Sequence, residues 1–215
     1  MIEAAVYDID NTLTSDVSWL RITELLGGSS AKHQDIFDKF KRDELSYPEA
    51  KRQVVDLWQS TGNASKSYWV DVFTDWPLAE GAEELVGYTA SKGYRTALIT
   101  GSFDLFAEAV ASKLRIPNWY ANTTLVWDEQ GRLVDFHYVR DQSAHKLAHL
   151  KEFTEKVGVS LDSCVAIGDG DNDVAIFEAT GHGIAVNSAS TALLAVSWQR
   201  VDRLQQIIPI LEGQR

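Results

Sequence analysis

Ala4-Ala5-Val6-Tyr7-Asp8-Ile9-Asp10-Asn11-Thr12 is an apolar run that stops on two aspartates one residue apart. The apolar part reads as a buried β-strand. A spacing of two points both carboxylates to one side if the strand geometry persists beyond Tyr7, and two close carboxylates invite a divalent cation. Aspartate and asparagine also crowd turns for their local hydrogen bonds, so the pair by itself assigns no chemistry.

Runs of the same kind recur between helical stretches, at residues 94–99, 164–167 and 184–186. That alternation predicts an α/β fold with a parallel sheet. Each run gives way to a polar or glycine-rich turn: residues 8–11, Thr100-Gly101-Ser102, residues 168–173 and Asn187-Ser188. Open α/β sheets bind ligands outside the carboxyl ends of their strands, so the turns are where a site is expected.

Between the first and second runs, residues 15–76 have helical character and read as an insertion. Leu20, Leu25 and Leu26 fit one apolar face, and Ile36, Phe37 and Phe40 another. Pro48-Glu49 suits a first helical turn ahead of Val54, Val55, Leu57 and Trp58. Trp19, Trp58, Trp69 and Trp76 fall inside the insertion, where such rings either fill a small core or line a pocket. After Pro117, Thr124-Leu125-Val126-Trp127, a turn at 128–131 and the run 133–139 read as a β-hairpin at a sheet edge.

A length of 215 residues with 45% hydrophobic content can build one core plus an insertion. The net charge of −11 argues against nucleic acid or an anionic membrane as partner, because those bind Lys and Arg by displacing counterions. A phosphorylated ligand would need local compensation from a cation, a lysine or backbone amides. Cys164 is the only cysteine, so no intrachain disulfide forms. With no basic leader and no apolar span of membrane length, the expected location is the cytoplasm.

Gly168-Asp169-Gly170-Asp171-Asn172-Asp173 follows one of the strands and opens a helix through Val174, Ile176 and Phe177. Its alternating aspartates suggest a calcium loop, but Val174 would stand at the required glycine and Thr180 at the bidentate glutamate. Thr100-Gly101-Ser102 offers a hydroxyl and free amides ahead of a helix over 103–114, and helix N-termini hold phosphate well. Lys146 lies near the start of a helix over 144–157; alone it is an ordinary solvated charge, and its meaning comes from its company.

Together these four elements resemble, in order and strand context, the haloacid dehalogenase superfamily, whose motifs are Asp-x-Asp-x-Thr, a Thr or Ser, a Lys and Gly-Asp-Gly-x-x-Asp. The resemblance covers the whole chain and is strongest to the phosphoserine-phosphatase-like group. It implies a Rossmann-like parallel-sheet core with an inserted helical cap domain and a β-hairpin. The expected boundaries are 1–14 and 77–215 for the core and 15–76 for the cap.

The implied activity is Mg²⁺-dependent hydrolysis of a small phosphorylated metabolite. Resemblance makes Asp8 the nucleophile that forms an aspartyl-phosphate and Asp10 the acid and then the base; an aspartate at position 10 favours phosphoryl over carbon–halogen chemistry. Asp8, Asp10 through its carbonyl, Asp169 and Asp173 would serve the metal, and Thr100, Gly101, Lys146 and Asn172 the phosphate. Two rivals are a phosphotransferase or mutase on the same framework and a non-catalytic phospho-aspartate receiver, which also combines acidic residues, a hydroxyl and a lysine but lacks the second aspartate and the insertion. His145, His182 and Cys164 are expected to be structural.

One feature departs from the resembling group. Its phosphoserine phosphatases carry a cap glutamate nine residues after the nucleophile, and here that position is Val17, with Asp16 beside it. The group's cap arginine aligns with Val54, and Arg52 lies two residues before. Phosphoserine is therefore not the expected best substrate, unless Asp16 and Arg52 act as shifted replacements.

Overall fold

A computed structural model describes residues 1–213. Among these residues seven strands form one sheet in the order β4-β3-β2-β1-β5-β6-β7. They are β1 Ala4–Tyr7, β2 Arg95–Phe103, β3 Asn118–Trp127, β4 Leu133–Tyr138, β5 Cys164–Gly168, β6 Gly183–Val186 and β7 Gln199–Val201. All neighbours pair in parallel except β3 and β4, the hairpin, which closes one edge as expected. Among the described residues ten α-helices accompany the sheet: α1 Ser18–Leu25, α2 Ser30–Lys41, α3 Tyr47–Gln59, α4 Lys66–Thr74, α5 Ala82–Ser91, α6 Asp104–Leu114, α7 Gln142–Val157, α8 Val174–Thr180, α9 Thr191–Val196 and α10 Ile207–Glu212.

The central strands are buried on both faces. Every residue of β1, β5 and β6 is buried, which is why their sequences are unbroken apolar runs without alternation. Side chains of one parity, Ala5, Tyr7, Leu98, Val165 and Ile167, join the larger core cluster, while Ala4, Val6, Ala97, Ile99 and Ala166 meet Leu150, Phe153 and Phe177 on the opposite face.

Strand β2 corrects the expected boundary. The segment Thr100-Gly101-Ser102 is not a turn; the strand continues to Phe103 with one extra residue inserted between Thr100 and Phe103 opposite β3. Strand β3 begins at Asn118, well before the expected hairpin, and its added length supplies the pairing that keeps β2 extended. Such a bulge re-aims side chains at the end of a strand. Strand β7 was not expected, being three residues long with two of them exposed.

Helices α1 to α4 fall in the expected insertion. Three of them have capping serines: Ser29 and Ser65 accept from the third following amide at α2 and α4, and Ser46 with Glu49 forms a capping box around Pro48 at α3. Their apolar faces meet the sheet's edge through a continuous ring cluster. Trp19 lies 4.3 Å from Phe103 and 5.4 Å from Phe136, and Trp69 lies 5.4 Å from Phe103, centroid to centroid. Phe73 and Trp76 both pack at 4.9 Å against Phe106 of α6. The insertion's tryptophans thus do both things foreseen for them: Trp58, Trp69 and Trp76 are buried, and Trp19 also borders a cleft.

Within the insertion, His33 is buried with Nδ1 2.7 Å from Thr23 Oγ1, which also accepts from Trp58 Nε1 at 2.7 Å. Burial lowers its pKa from 6.5 to about 4. Between those values the unfolded chain binds a proton that the folded one refuses, so His33 lowers stability as pH falls through that window, by at most about 1.4 kcal/mol per pH unit. Urea unfolding at pH 7 and pH 4.5 is expected to show a loss about 2 kcal/mol larger for the natural protein than for His33→Gln.

Candidate active site

The carboxyl ends of β1, β2 and β5 meet at the floor of a cleft of about 390 Å³. Strand β1 ends at Tyr7. Asp8 remains extended, and the chain then enters a tight turn in which Asn11 adopts φ 53° and Thr14 N–H donates to Ile9 O at 3.0 Å. The two aspartates therefore reach the same cleft through this turn, not through a continuing pleat. Asparagine tolerates the left-handed conformation that the turn needs.

Asp8 is buried and Asp10 keeps partial surface access. The Asp10 carboxylate is held from the first turn of α1: Ser18 donates its amide to Oδ1 at 3.1 Å and its hydroxyl to Oδ2 at 2.8 Å. Burial, then the nearby Asp8 charge, raise the Asp10 carboxyl to about 7 against those two hydrogen bonds. Ser18 also hydrogen-bonds Ser102 on β2, which ties the start of the insertion to the bulge. Sequence reasoning missed Ser18, since nothing in its neighbourhood marks a serine eight residues on as the partner of Asp10.

Lys146 is fully buried on α7. Its ammonium lies 2.7 Å from Asp173 Oδ1, to which it donates, and 2.8 Å from Asp8 Oδ1. Burial alone would depress its pKa, but Asp173 and Asp8 together outweigh that and hold it well above the usual lysine range. The other oxygen of Asp173 accepts the amides of Asp169 and Gly170, at 3.2 and 3.3 Å. Gly168 is obligatory beneath it, because a Cβ there would lie 2.3 Å from Asp173 Oδ2.

Asp8, Asp169 and Asp173 each bring an oxygen within 4.8 Å of the others. Burial, then Asp8 and Asp173, raise Asp169 to about 7, and burial raises Asp173 to about 6 despite Lys146. One ammonium faces three crowded carboxylates, and Asp8 Oδ1 is buried without a directed hydrogen bond of its own. An all-oxygen, electron-rich cluster of this kind fits a hard divalent cation. The Asp10 carboxylate is not in the cluster, being turned toward Ser18.

Thr100, Gly101 and Asn172 also line the cleft. The Ser102 amide, expected to be free, donates to Thr100 Oγ1 at 3.1 Å, which leaves the Thr100 hydroxyl proton available to another acceptor. The N-terminus of α6 lies beyond the bulge, where the Asp104 carboxylate accepts the Leu105 and Leu125 amides. A Cβ on Gly101 would come within 2.8 Å of Gln142 Oε1 and 3.2 Å of Asn172 Nδ2, so a glycine keeps this part of the floor open. Gln142 itself was not foreseen.

The chain matches the family of haloacid dehalogenase-like hydrolases over residues 5–178. It belongs to that family. Among curated relatives, a phosphoserine phosphatase of Lactococcus lactis is 27% identical, covering 96% of this chain and 93% of that protein. One of Archaeoglobus fulgidus is 30% identical over 85% of this chain and 52% of its own length. A structure described as a phospho-aspartyl intermediate analogue of phosphoserine phosphatase superposes with a TM-score of 0.78 at 21% identity, covering 97% and 98% of the two chains. A substrate-bound phosphoserine phosphatase complex gives 0.77 at the same identity, over 98% of each chain. At such identity these structures speak for the fold.

As a haloacid dehalogenase-like hydrolase the chain is an enzyme, and its remaining histidines and cysteine lie outside the floor. His145 Nδ1 is 2.9 Å from Asn122 Oδ1, and His182 stands edge-on to Trp198 with ring centroids 5.3 Å apart. The buried Cys164 thiol is pushed up to about 12 by burial, so it is not a nucleophile. No helix among the described residues is long and apolar enough to cross a membrane.

Proposed function

We propose that the chain is a Mg²⁺-dependent phosphomonoesterase acting on a small phosphorylated metabolite through a covalent intermediate on Asp8. The observation that carries this reading is the buried Lys146 set between Asp8 and Asp173, beside Asp169, with Asp8 itself lining the floor of an open cleft. Structural ion pairs do not ordinarily crowd three carboxylates and one ammonium around a residue that lines a cleft.

In the first step an Asp8 carboxylate oxygen bonds to phosphorus as the ester P–O bond breaks, and Asp10 gives its proton to the departing oxygen. In the second, water bonds to phosphorus, its proton passes to Asp10, and the bond to Asp8 breaks. Phosphate leaves with both carboxyl groups restored. Each proton transfer by a positioned group is worth roughly 10²–10⁴-fold. Ser18 fixes the Asp10 carboxylate for both. Lys146 offsets charge on Asp8 and on the phosphoryl oxygens, Thr100 donates its hydroxyl to one of them, and Gly101 and Asn172 shape the pocket floor. Asp8, the Asp10 carbonyl and Asp169 would hold Mg²⁺, with Asp173 setting their positions; when bound, the ion neutralises phosphoryl charge.

Helices α1 to α4, within residues 15–76, would act as the cap that selects the leaving group, and residues 1–14 and 77–215 as the catalytic core. The relatives named phosphoserine phosphatase support the phosphatase class. They do not extend to a transferase reading, nor to a silent receiver, given Asp10 and the cleft.

Hydrolysis of p-nitrophenyl phosphate is expected to require metal: EDTA abolishes it, Mg²⁺ restores it, and Ca²⁺ restores little because its looser shell misplaces the nucleophile. Undiminished turnover in EDTA would remove the metal from the proposal.

A further inference from the structure

From the contrast between the charged floor of the cleft and its apolar far end, we infer that this enzyme's substrate is a phosphomonoester of an apolar, ring-bearing alcohol rather than of a zwitterionic amino acid. The inference rests on the phosphomonoesterase reading above and concerns the other half of the same cleft.

Away from Asp8, the walls come from α1, α2, α3 and β4, with Trp19, Phe37, Phe40, Tyr47, Phe136 and Tyr138 among them. Six large apolar residues are exposed among the described ones, and two of these, Val17 at 39% and Phe37 at 38%, stand on this cleft. Apolar side chains left in water around a concavity mark a surface that something apolar covers.

A zwitterion would need a carboxylate for its ammonium and a free cation for its carboxylate. Of the residues lining the cleft, only Asp8 and Asp10 are acidic, and both sit at the floor. Val17 and Val54 line the walls at the positions where charges were sought, whereas Asp16 and Arg52 do not line the cleft, so neither acts as a shifted replacement.

Several polar wall groups are already engaged. Lys51 pairs with Asp135 at 2.9 Å and lies over the Tyr47 ring, Gln34 donates to Asp38 at 2.8 Å, and His33 is spent on Thr23. The Tyr47 hydroxyl is bonded to the Tyr138 backbone, accepting its amide at 3.2 Å. A charged leaving group entering here would lose hydration without gaining a partner, while a ring would gain contact with rings already held in place.

The test compares 2-phenylethyl phosphate with O-phosphoserine, both esters of primary alcohols, with Mg²⁺ present. The expected kcat/KM favours the phenyl ester by at least about tenfold, the scale set by burying one ring against stranding two charges. Phe37→Ala should cut that advantage about fivefold or more through KM. Val17→Glu, at an exposed position that tolerates the change, should raise phosphoserine turnover and lower that of the phenyl ester. An equal or higher kcat/KM for phosphoserine overturns the inference while leaving the phosphatase reading intact, provided p-nitrophenyl phosphate is hydrolysed. An advantage untouched by both variants also overturns it, because the ring would then be bound elsewhere. Calorimetry with 3-phenylpropylphosphonate and with 2-amino-4-phosphonobutyrate supplies a readout independent of turnover. If no ester is hydrolysed the phosphatase reading falls, and tighter binding of the amino-acid phosphonate would sink the leaving-group preference as well.

Discussion

Asp8→Asn is expected to abolish turnover, by at least about 10⁴-fold, while leaving the fold and its unfolding midpoint nearly unchanged. The size follows from the role: removing a covalent nucleophile deletes both steps at once, and losses of this order accompany such deletions in other covalent enzymes. The fold survives because asparagine is isosteric and because the change removes one of three crowded carboxylates, relieving as much repulsion as it forfeits attraction to Lys146. Acid quench of the natural protein during turnover should yield phosphate bound to Asp8. Normal rates in the variant, together with no trapped acyl-phosphate, would end the covalent mechanism.

Lys146→Met should damage activity less than Asp8→Asn does and be far worse for stability. The ammonium is buried and its carboxylate partners are almost so, with side chains of Asp8 and Asp173 only 4% and 5% exposed. Breaking such a set from one side leaves buried charges facing each other, a change that costs about 3–5 kcal/mol. Methionine keeps the volume, so the loss reports charge and not a cavity. Urea unfolding in EDTA measures the first effect, and p-nitrophenyl phosphate hydrolysis with Mg²⁺ the second, expected at about 10²-fold or more for a lost electrostatic partner of the transferred group. A variant as stable as the natural protein would mean that the carboxylates were not relying on Lys146.

What could be read from the sequence was what repeats locally. Strand β1 ended at Tyr7 as expected because a four-residue apolar run bounded by aspartates has few other readings. Lys146 stands out in the sequence only in company; its spacing to Asp173 says nothing of the 2.7 Å between them, which the folded chain creates. The strand character of Thr100 to Phe103 was hidden because glycine and serine read as a turn, and only the length of β3 overrules that preference. Ser18 and Gln142 were invisible for a related reason. Ser18 meets Asp10 only because the chain turns between them, Gln142 meets Asn122 only across packed segments, and neither carries a motif of its own.

The ring contacts of Trp19 bear on how this enzyme can be redirected. That side chain borders the cleft, yet it is stacked on Trp58 and wedged against Phe103 and Phe136. Any change there that reshapes what the cleft accepts also disturbs the join between helices and sheet, so gains in new selectivity would be masked by loss of soluble protein. Val17 and Phe37 carry no such double duty, standing on the rim with more than a third of their surface free. Libraries aimed at new substrates should therefore vary the rim and hold the indole fixed, and divergence among close homologues should follow the same division.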